Sequence, residues 1–508
     1  MRSACLEIEA IRHASVSRVA GWVQGMALAL MMGAFFSLVE PSPLFWVVGV
    51  VLLMGWSIWA WSQPLPAFGT LIFVWVTFYT RASLPLFQVE SGWNRGGVGL
   101  GDLLWSIYIG MWLYQVLRCG NGRLFALPQR VDSLLLLILP YLLLSVFLPV
   151  AGVLAFGYPP SYAIPGIRHL QWASFALLGY WFCRRYGIES MIWTLLFSFT
   201  AAGVIHALYA LIQLLTPLGV LPQEWLLPDR VFAERYATTW FFYPRTTGLL
   251  VNPNSYGLFG SVALILLSAL LLSGMRIRPR MVILLGSVGL WAIATSASRS
   301  AIVGLLAGVI LMGITALLKG FTYRNEHHLY RLVGFLLKIP VAVAMLSIAA
   351  WLFLPHHLTD RIMLLVGVVV EGAEVDPNAI GRFNFWEQAL RLYEERAPLG
   401  TWVPAGYAFN IPIDSYYVSL ITQGTPLYLF AFLMLLFGVV GCGWQVWMRV
   451  RENTQSEPKT CQKDWIGLAL MGIGALIGAA SFTLSPLQAA QTLVPFWLLI
   501  GIGLASKQ

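Results

Sequence analysis

The chain has 508 residues, 58% of them hydrophobic and 10% charged, whereas ordinary soluble domains carry roughly a quarter charged residues. Apolar runs of about 20 residues recur along its whole length, which excludes a soluble domain on an anchor and predicts one integral membrane domain over 1–508. The net charge of +9 is not a nucleic-acid signal, because basic residues collect on the cytoplasmic face of an inserted chain; the expected surroundings are a lipid bilayer, with no nucleic acid.

The segment 1–20 is mixed polar and shows no cleavable signal. After it, hydropathy predicts an all-α polytopic protein with about 14 transmembrane helices, 12–14 in all. They lie near 20–38, 43–62, 65–82, 101–117, 132–150, 169–183, 189–215, 247–273, 281–297, 300–318, 334–354, 417–447, 465–483 and 487–505. With both termini inside, all five lysines fall on the inner side, while the outer side carries arginine alone. The five cysteines, Cys5, Cys119, Cys183, Cys442 and Cys461, lie in or beside inner segments with no metal spacing and read as inert thiols. Two outer segments are long, 216–246 and 355–416. In the second, Phe383, Trp386, Leu390 and Tyr393 recur at helical spacing between Glu387, Arg391, Glu394 and Glu395. That pattern predicts an amphipathic helix on the outer leaflet, over a cavity, or packed into the core.

Arginine grips phosphate oxygens with a two-pronged fork, whereas lysine is a point charge, so arginines at the outer ends of apolar helices point to a lipid-linked phosphate or pyrophosphate. Four places carry this chemistry. In Tyr243-Pro-Arg-Thr-Thr-Gly-Leu-Leu-Val-Asn-Pro-Asn254, Arg245 precedes a helix start at which Pro253 breaks the backbone ladder and Asn254 can bond the freed groups. In Thr295-Ser-Ala-Ser-Arg-Ser-Ala301, Arg299 sits in a tight turn between two spans, where a charge is costly. In Gly381-Arg-Phe-Asn-Phe-Trp386, Arg382 opens the amphipathic helix and either faces the site or pairs with Glu387 or another acid. In Ile413-Asp-Ser-Tyr-Tyr417, Asp414 lies at the outer membrane surface, as a base toward a sugar hydroxyl or as a helix cap, beside the interfacial Tyr416 and Tyr417. Arg168, before Gln171 and Trp172, can join the same basic cluster. His206 reads as a hydrogen-bonded core residue. No Walker A sequence, GxGxxG or metal spacing appears, so no cofactor and no metal are expected.

Taken together, R-x-x-G-L-x-x-N-P-N (Arg245 to Asn254), S-R-S-A (Ser298 to Ala301), R-x-x-x-W (Arg382 to Trp386), a P-L-G (Pro398 to Gly400) and D-S-x-Y with a later glycine (Asp414 to Gly424) resemble the O-antigen polymerase and ligase superfamily, the Wzy and WaaL type. The likeness is clearest from about Tyr243 to Leu427. It implies a GT-C-like, metal-independent glycosyltransferase of the bacterial inner membrane with a long periplasmic loop. Such an enzyme moves a glycan from undecaprenyl pyrophosphate onto the next lipid-linked repeat unit (polymerase) or onto lipid A-core or protein (ligase), with a chain-length regulator as a further possible partner. The resemblance puts pyrophosphate on Arg245 and Arg299, and with less support on Arg382. Ligases of this type carry a histidine followed by Asn, Ser or Gln at the end of the long loop. Asp414-Ser415 stands there in this chain, which is more like the polymerases. A single displacement at the anomeric carbon predicts inversion. A transporter or flippase for lipid-linked sugars is the reading from another class.

Overall fold

The computed structural model describes residues 20–36, 42–78, 89–91, 94–96, 99–118, 133–216, 220–222, 245–250, 252–275, 278–323, 377–409, 411, 413–448, 458–486 and 489–507. The span expected at 334–354, most of 216–246 and residues 355–376 lie outside them. In chain order the helices are α1 (Ala20–Phe36), α2 (Pro43–Ser62), α3 (Pro64–Phe78), α4 (Leu100–Arg118), α5 (Ser133–Phe156), α6 (Ile164–Tyr186), α7 (Ile188–Leu215), α8 (Pro253–Ser273), α9 (Pro279–Ser296), α10 (Arg299–Tyr323), α11 (Pro377–Arg396), α12 (Tyr416–Met448), α13 (Pro458–Ala480) and α14 (Ala490–Ser506). A two-stranded antiparallel hairpin, Val89–Ser91 with Asn94–Gly96 and Glu90 opposite Arg95, is a small departure from an all-α chain.

Among the described residues, eight helices are long and apolar enough to cross a membrane: α2, α5, α7, α8, α9, α10, α12 and α13. Three more, α1, α3 and α14, are apolar and shorter. This is a multi-pass membrane protein, and its surface explains why. On α2, Leu44, Val47, Val51, Met54 and Ile58 are all exposed, and on α10 Val303, Leu306, Ile310 and Ile314 repeat the pattern. Spacing of three and four residues makes each set one helix face, and water would penalise such stripes heavily. Hydrocarbon does not. The centre is closed by α3, α8, α13 and α14, which are buried on nearly every side. Cys183 and Cys442 are buried.

One expectation is corrected. Hydropathy gives a single span over 417–447, but α12 is broken at Gly424 (φ −137°) and Thr425 (φ 64°), just before Pro426. Proline has no N–H to give Thr422, and the freed carbonyls find partners in another segment. Thr401 N–H donates to the Thr422 carbonyl and Trp402 N–H to that of Gln423, both at 2.9 Å. Gly400, at φ 91°, lets this loop dock, since a Cβ there would lie 2.4 Å from the Gln423 oxygen. The chain doubles back at the break. A continuous helix would hold Tyr416 and Phe432 about 24 Å apart, yet their rings are 5.1 Å apart. Gly478 of α13 likewise meets both Tyr417 and Leu436. Tyr416–Gln423 is thus the short arm of a helical hairpin, and its foot lies about 9 Å back from the tip.

Candidate active site

The expected site residues gather at one end of the bundle, and an unbroken set of contacts joins most of them. Residues 245–250 form a buried strap ahead of α8. The Gln213 carboxamide of α7 accepts from Thr247 N–H (2.9 Å) and Gly248 N–H (3.1 Å) and donates to Thr247 Oγ1 (2.8 Å). His206 Nδ1 accepts from Leu249 N–H at 3.1 Å, which leaves Nε2 to donate to the Val76 carbonyl at 3.0 Å. His206 is therefore the bonded core histidine that its setting predicts. On the other side, Thr246 Oγ1 donates to Thr295 Oγ1 at 2.6 Å.

Arg245 closes the strap. It is 7% exposed. Its Nε donates to the Ser296 carbonyl at 2.5 Å and its Nη2 to Asn254 Oδ1 at 2.9 Å. Asn254 Oδ1 also accepts from Ser298 Oγ at 3.2 Å. Arg245 and Asn254 thus weld the start of α8 to the turn that joins α9 to α10. That turn needs Ala297 in the left-handed region, at φ 45°. Its close seat on α8 needs Gly257, where a Cβ would lie 2.5 Å from Ser298 Cβ and 2.8 Å from Ser296 Oγ. Gly257→Ala should therefore destabilise the protein by about 1–3 kcal/mol through overpacking. Thermal unfolding in detergent would read this, and a melting point like that of the parent would show that the turn has room to spare.

Arg299 is the first residue of α10 and is partly exposed, with Ser298 ahead of it accepting from Ile302 N–H at 3.1 Å. A cation here opposes the positive end of the helix dipole. The start of α8 meets the start of α10 at the Asn254–Ser298 contact, and neither helix has an acid in its first turn. Two helix N-termini and two arginines make a positive field suited to phosphate.

From this turn the contacts run onward. Ser300 shares a short hydrogen bond with Thr483, just past α13. Tyr416 N–H donates to the Ser481 carbonyl at 2.9 Å. Two residues before Tyr416 lies Asp414. Ser415, not Asp414, takes the capping place, its carbonyl accepting from Ser419 N–H at 3.0 Å. The Asp414 carboxylate is thereby available to α11: Oδ2 is 2.6 Å from Arg382 Nε, and Oδ1 accepts from Trp386 Nε1 at 3.2 Å. The side chains of Arg382 and Asp414 are 29% and 35% exposed, so the pair is open to solvent-sized molecules. Asp414 is the other acid for Arg382, while Glu387 pairs with Arg391 on the exposed face. Asp414 lies at the foot of the hairpin.

Tyr416 is 2% exposed, and its hydroxyl shares a 2.6 Å bond with that of Tyr141 on α5. Tyr417 donates to the Gly478 carbonyl at 2.7 Å. Both tyrosines brace the foot of the hairpin. Arg168 lies in a neighbouring cluster, its Nη2 3.8 Å from Asp102 Oδ2. Asp102 also accepts from Gln171 Nε2 (2.9 Å) and Gly99 N–H (2.8 Å). His169, beside Arg168, stacks edge-on against Tyr141 at 5.8 Å, which ties this cluster to Tyr416. Asp102 is the residue missed by sequence reasoning. Its signal was a lone acid opening an apolar span. Compared with known proteins, the chain matches no family model and no curated sequence.

Proposed function

We propose that this protein is a polysaccharide polymerase that moves a glycan from undecaprenyl pyrophosphate onto the next lipid-linked repeat unit, with its site on the outer face of the bacterial inner membrane, both termini cytoplasmic and about 14 spans in a GT-C-like arrangement. The reading is carried by the convergence of Arg245, Arg299, Arg382 and Asp414 at one end of a membrane bundle, the last two in an accessible pair. The buried Lys319, bonded to Asp464, lies at the opposite end of the same helices, as expected for a cytoplasmic side that collects lysine.

The chemistry follows from the parts. A diphosphate leaves once donors stabilise its charge, and Arg299 with the helix starts behind it supplies such donors. Asp414 takes the acceptor hydroxyl proton as the new C–O bond forms. The bond from the anomeric carbon to phosphate oxygen breaks, its electron pair leaving with the diphosphate. One displacement inverts the anomeric centre.

The test uses purified protein in nanodiscs with polyprenyl-pyrophosphate-linked repeat units. A ladder of product lengths is expected. Asp414→Asn should slow its formation about 10²–10⁴-fold, the range of a lost general base. Transfer only after lipid A-core or a protein acceptor is supplied would make it a ligase. Substrate crossing the bilayer with no covalent product would make it a transporter and end the enzyme reading.

A further inference from the structure

Arg382 and Trp386 lie one helical turn apart on α11, and both hold the same carboxylate, one on each oxygen. The arrangement is cramped for a base. A carboxylate locked to a guanidinium at 2.6 Å is occupied where an acceptor hydroxyl must approach, and the guanidinium is equally occupied where a phosphate must bind. Trp386 differs in kind, since an indole N–H is a single neutral donor that aims the carboxylate and leaves its other lone pairs open. Its ring is fixed by an edge contact to Phe383 at 5.1 Å. Behind Asp414 the backbone has no slack: Tyr416 is tied through its N–H to Ser481 and through its hydroxyl to Tyr141.

From this geometry we infer that Asp414 exchanges partners: it is an internal anion that occupies Arg382 until a diphosphate displaces it, and Trp386 is the positioning residue that keeps it aimed afterwards. The inference rests on the transferase reading and adds to it a resting contact and a role for Trp386. In the resting state Asp414 satisfies Arg382. The incoming diphosphate, with more charge and more acceptor oxygens, takes the guanidinium fork. The carboxylate, now held by Trp386 alone, turns to the acceptor hydroxyl. Binding of the donor thereby arms the base.

Two measurements test this. In the first, undecaprenyl diphosphate is titrated into nanodiscs holding the parent protein or Asp414→Asn. Removing the competing charge should tighten binding roughly tenfold, an effect opposite in sign to the loss of turnover. In the second, Trp386→Phe keeps a ring and removes the donor. It should lower kcat roughly tenfold with KM within about twofold, and add nothing in the Asp414→Asn background, as for a residue acting through Asp414. Equal or weaker binding by Asp414→Asn, or a Trp386→Phe effect that persists without Asp414, overturns the exchange while a product ladder leaves the transferase reading standing. If no form of the protein binds the diphosphate, both fall.

Discussion

Arg245→Ala should lower the stability of the purified protein by about 2–4 kcal/mol, because the Ser296 carbonyl and the Asn254 side chain lose a charged donor in a buried place. Arg299→Ala should change stability by less than about 1 kcal/mol, since its side chain is partly exposed, and should instead cut turnover about 10²–10³-fold. The two arginines flank one turn, and their sequence settings look alike. Their surroundings separate them. Arg245 has Nε and Nη2 committed to protein oxygens and holds the strap, α8 and the α9–α10 turn in register. Arg299 opens a helix whose dipole repels it. Chemical denaturation and turnover of both variants, measured side by side, decide the matter. A stable Arg245→Ala, or an Arg299→Ala that unfolds, would reverse the two roles. Arg245→Lys should fall between parent and Ala in stability, because an ammonium can bond one of the two acceptors but cannot span both in one plane.

How much of this was legible in the sequence depends on what each feature rests on. The helices were, because a bilayer imposes long apolar runs. Expected segments 43–62 and 189–215 coincide closely with α2 and α7, while 247–273 and 300–318 overlap α8 and α10, α8 opening only at Pro253 and α10 running on to Tyr323. The amphipathic helix was legible too, its stripe falling within α11, although the helix opens at Pro377, five residues ahead of the start expected at Arg382. The partners were not. Nothing near Arg382 says that its acid lies in another segment: Glu387 is the nearest acid along the helix, but it stands five residues on, and it takes Arg391, four residues from it, instead. The hairpin in α12 was hidden for a similar reason. Gly424-Thr-Pro426 are ordinary kink residues within an apolar run, and hydropathy does not register a reversal of direction. What distinguishes the reversal is the docking of Gly400–Trp402 onto the freed carbonyls, a contact made across twenty residues. Asp102 escaped notice because one acid at a span start reads as a cap. It does serve Gly99 in that way, and it holds Gln171 and Arg168 as well.

At the far end of the bundle the largest stability effect is expected from breaking Lys319 and Asp464. Both are 4% exposed and 2.9 Å apart. The ammonium also donates to the Trp447 carbonyl at 2.8 Å and lies 3.9 Å from the centre of the Trp447 ring. One interaction therefore joins α10, α12 and α13, the three helices whose other ends carry Arg299, the foot of the hairpin beside Asp414, and Ser481 with Thr483 beyond it. A buried pair gains little over apolar packing, but removing one partner strands a charge. Lys319→Met or Asp464→Leu alone should each cost about 3–5 kcal/mol, and the double variant should recover most of that loss. Denaturation of all four proteins in detergent closes this cycle, and turnover is read on the same samples. If the double variant is as unstable as either single one, the pair is not what the charges contribute there. If it regains stability but not turnover, the pair acts on the site through the shared helices, since no residue of the arginine end has been touched. Recovery of both would make Lys319 and Asp464 a rivet for the fold, and would confine the chemistry to the end where α8 and α10 begin.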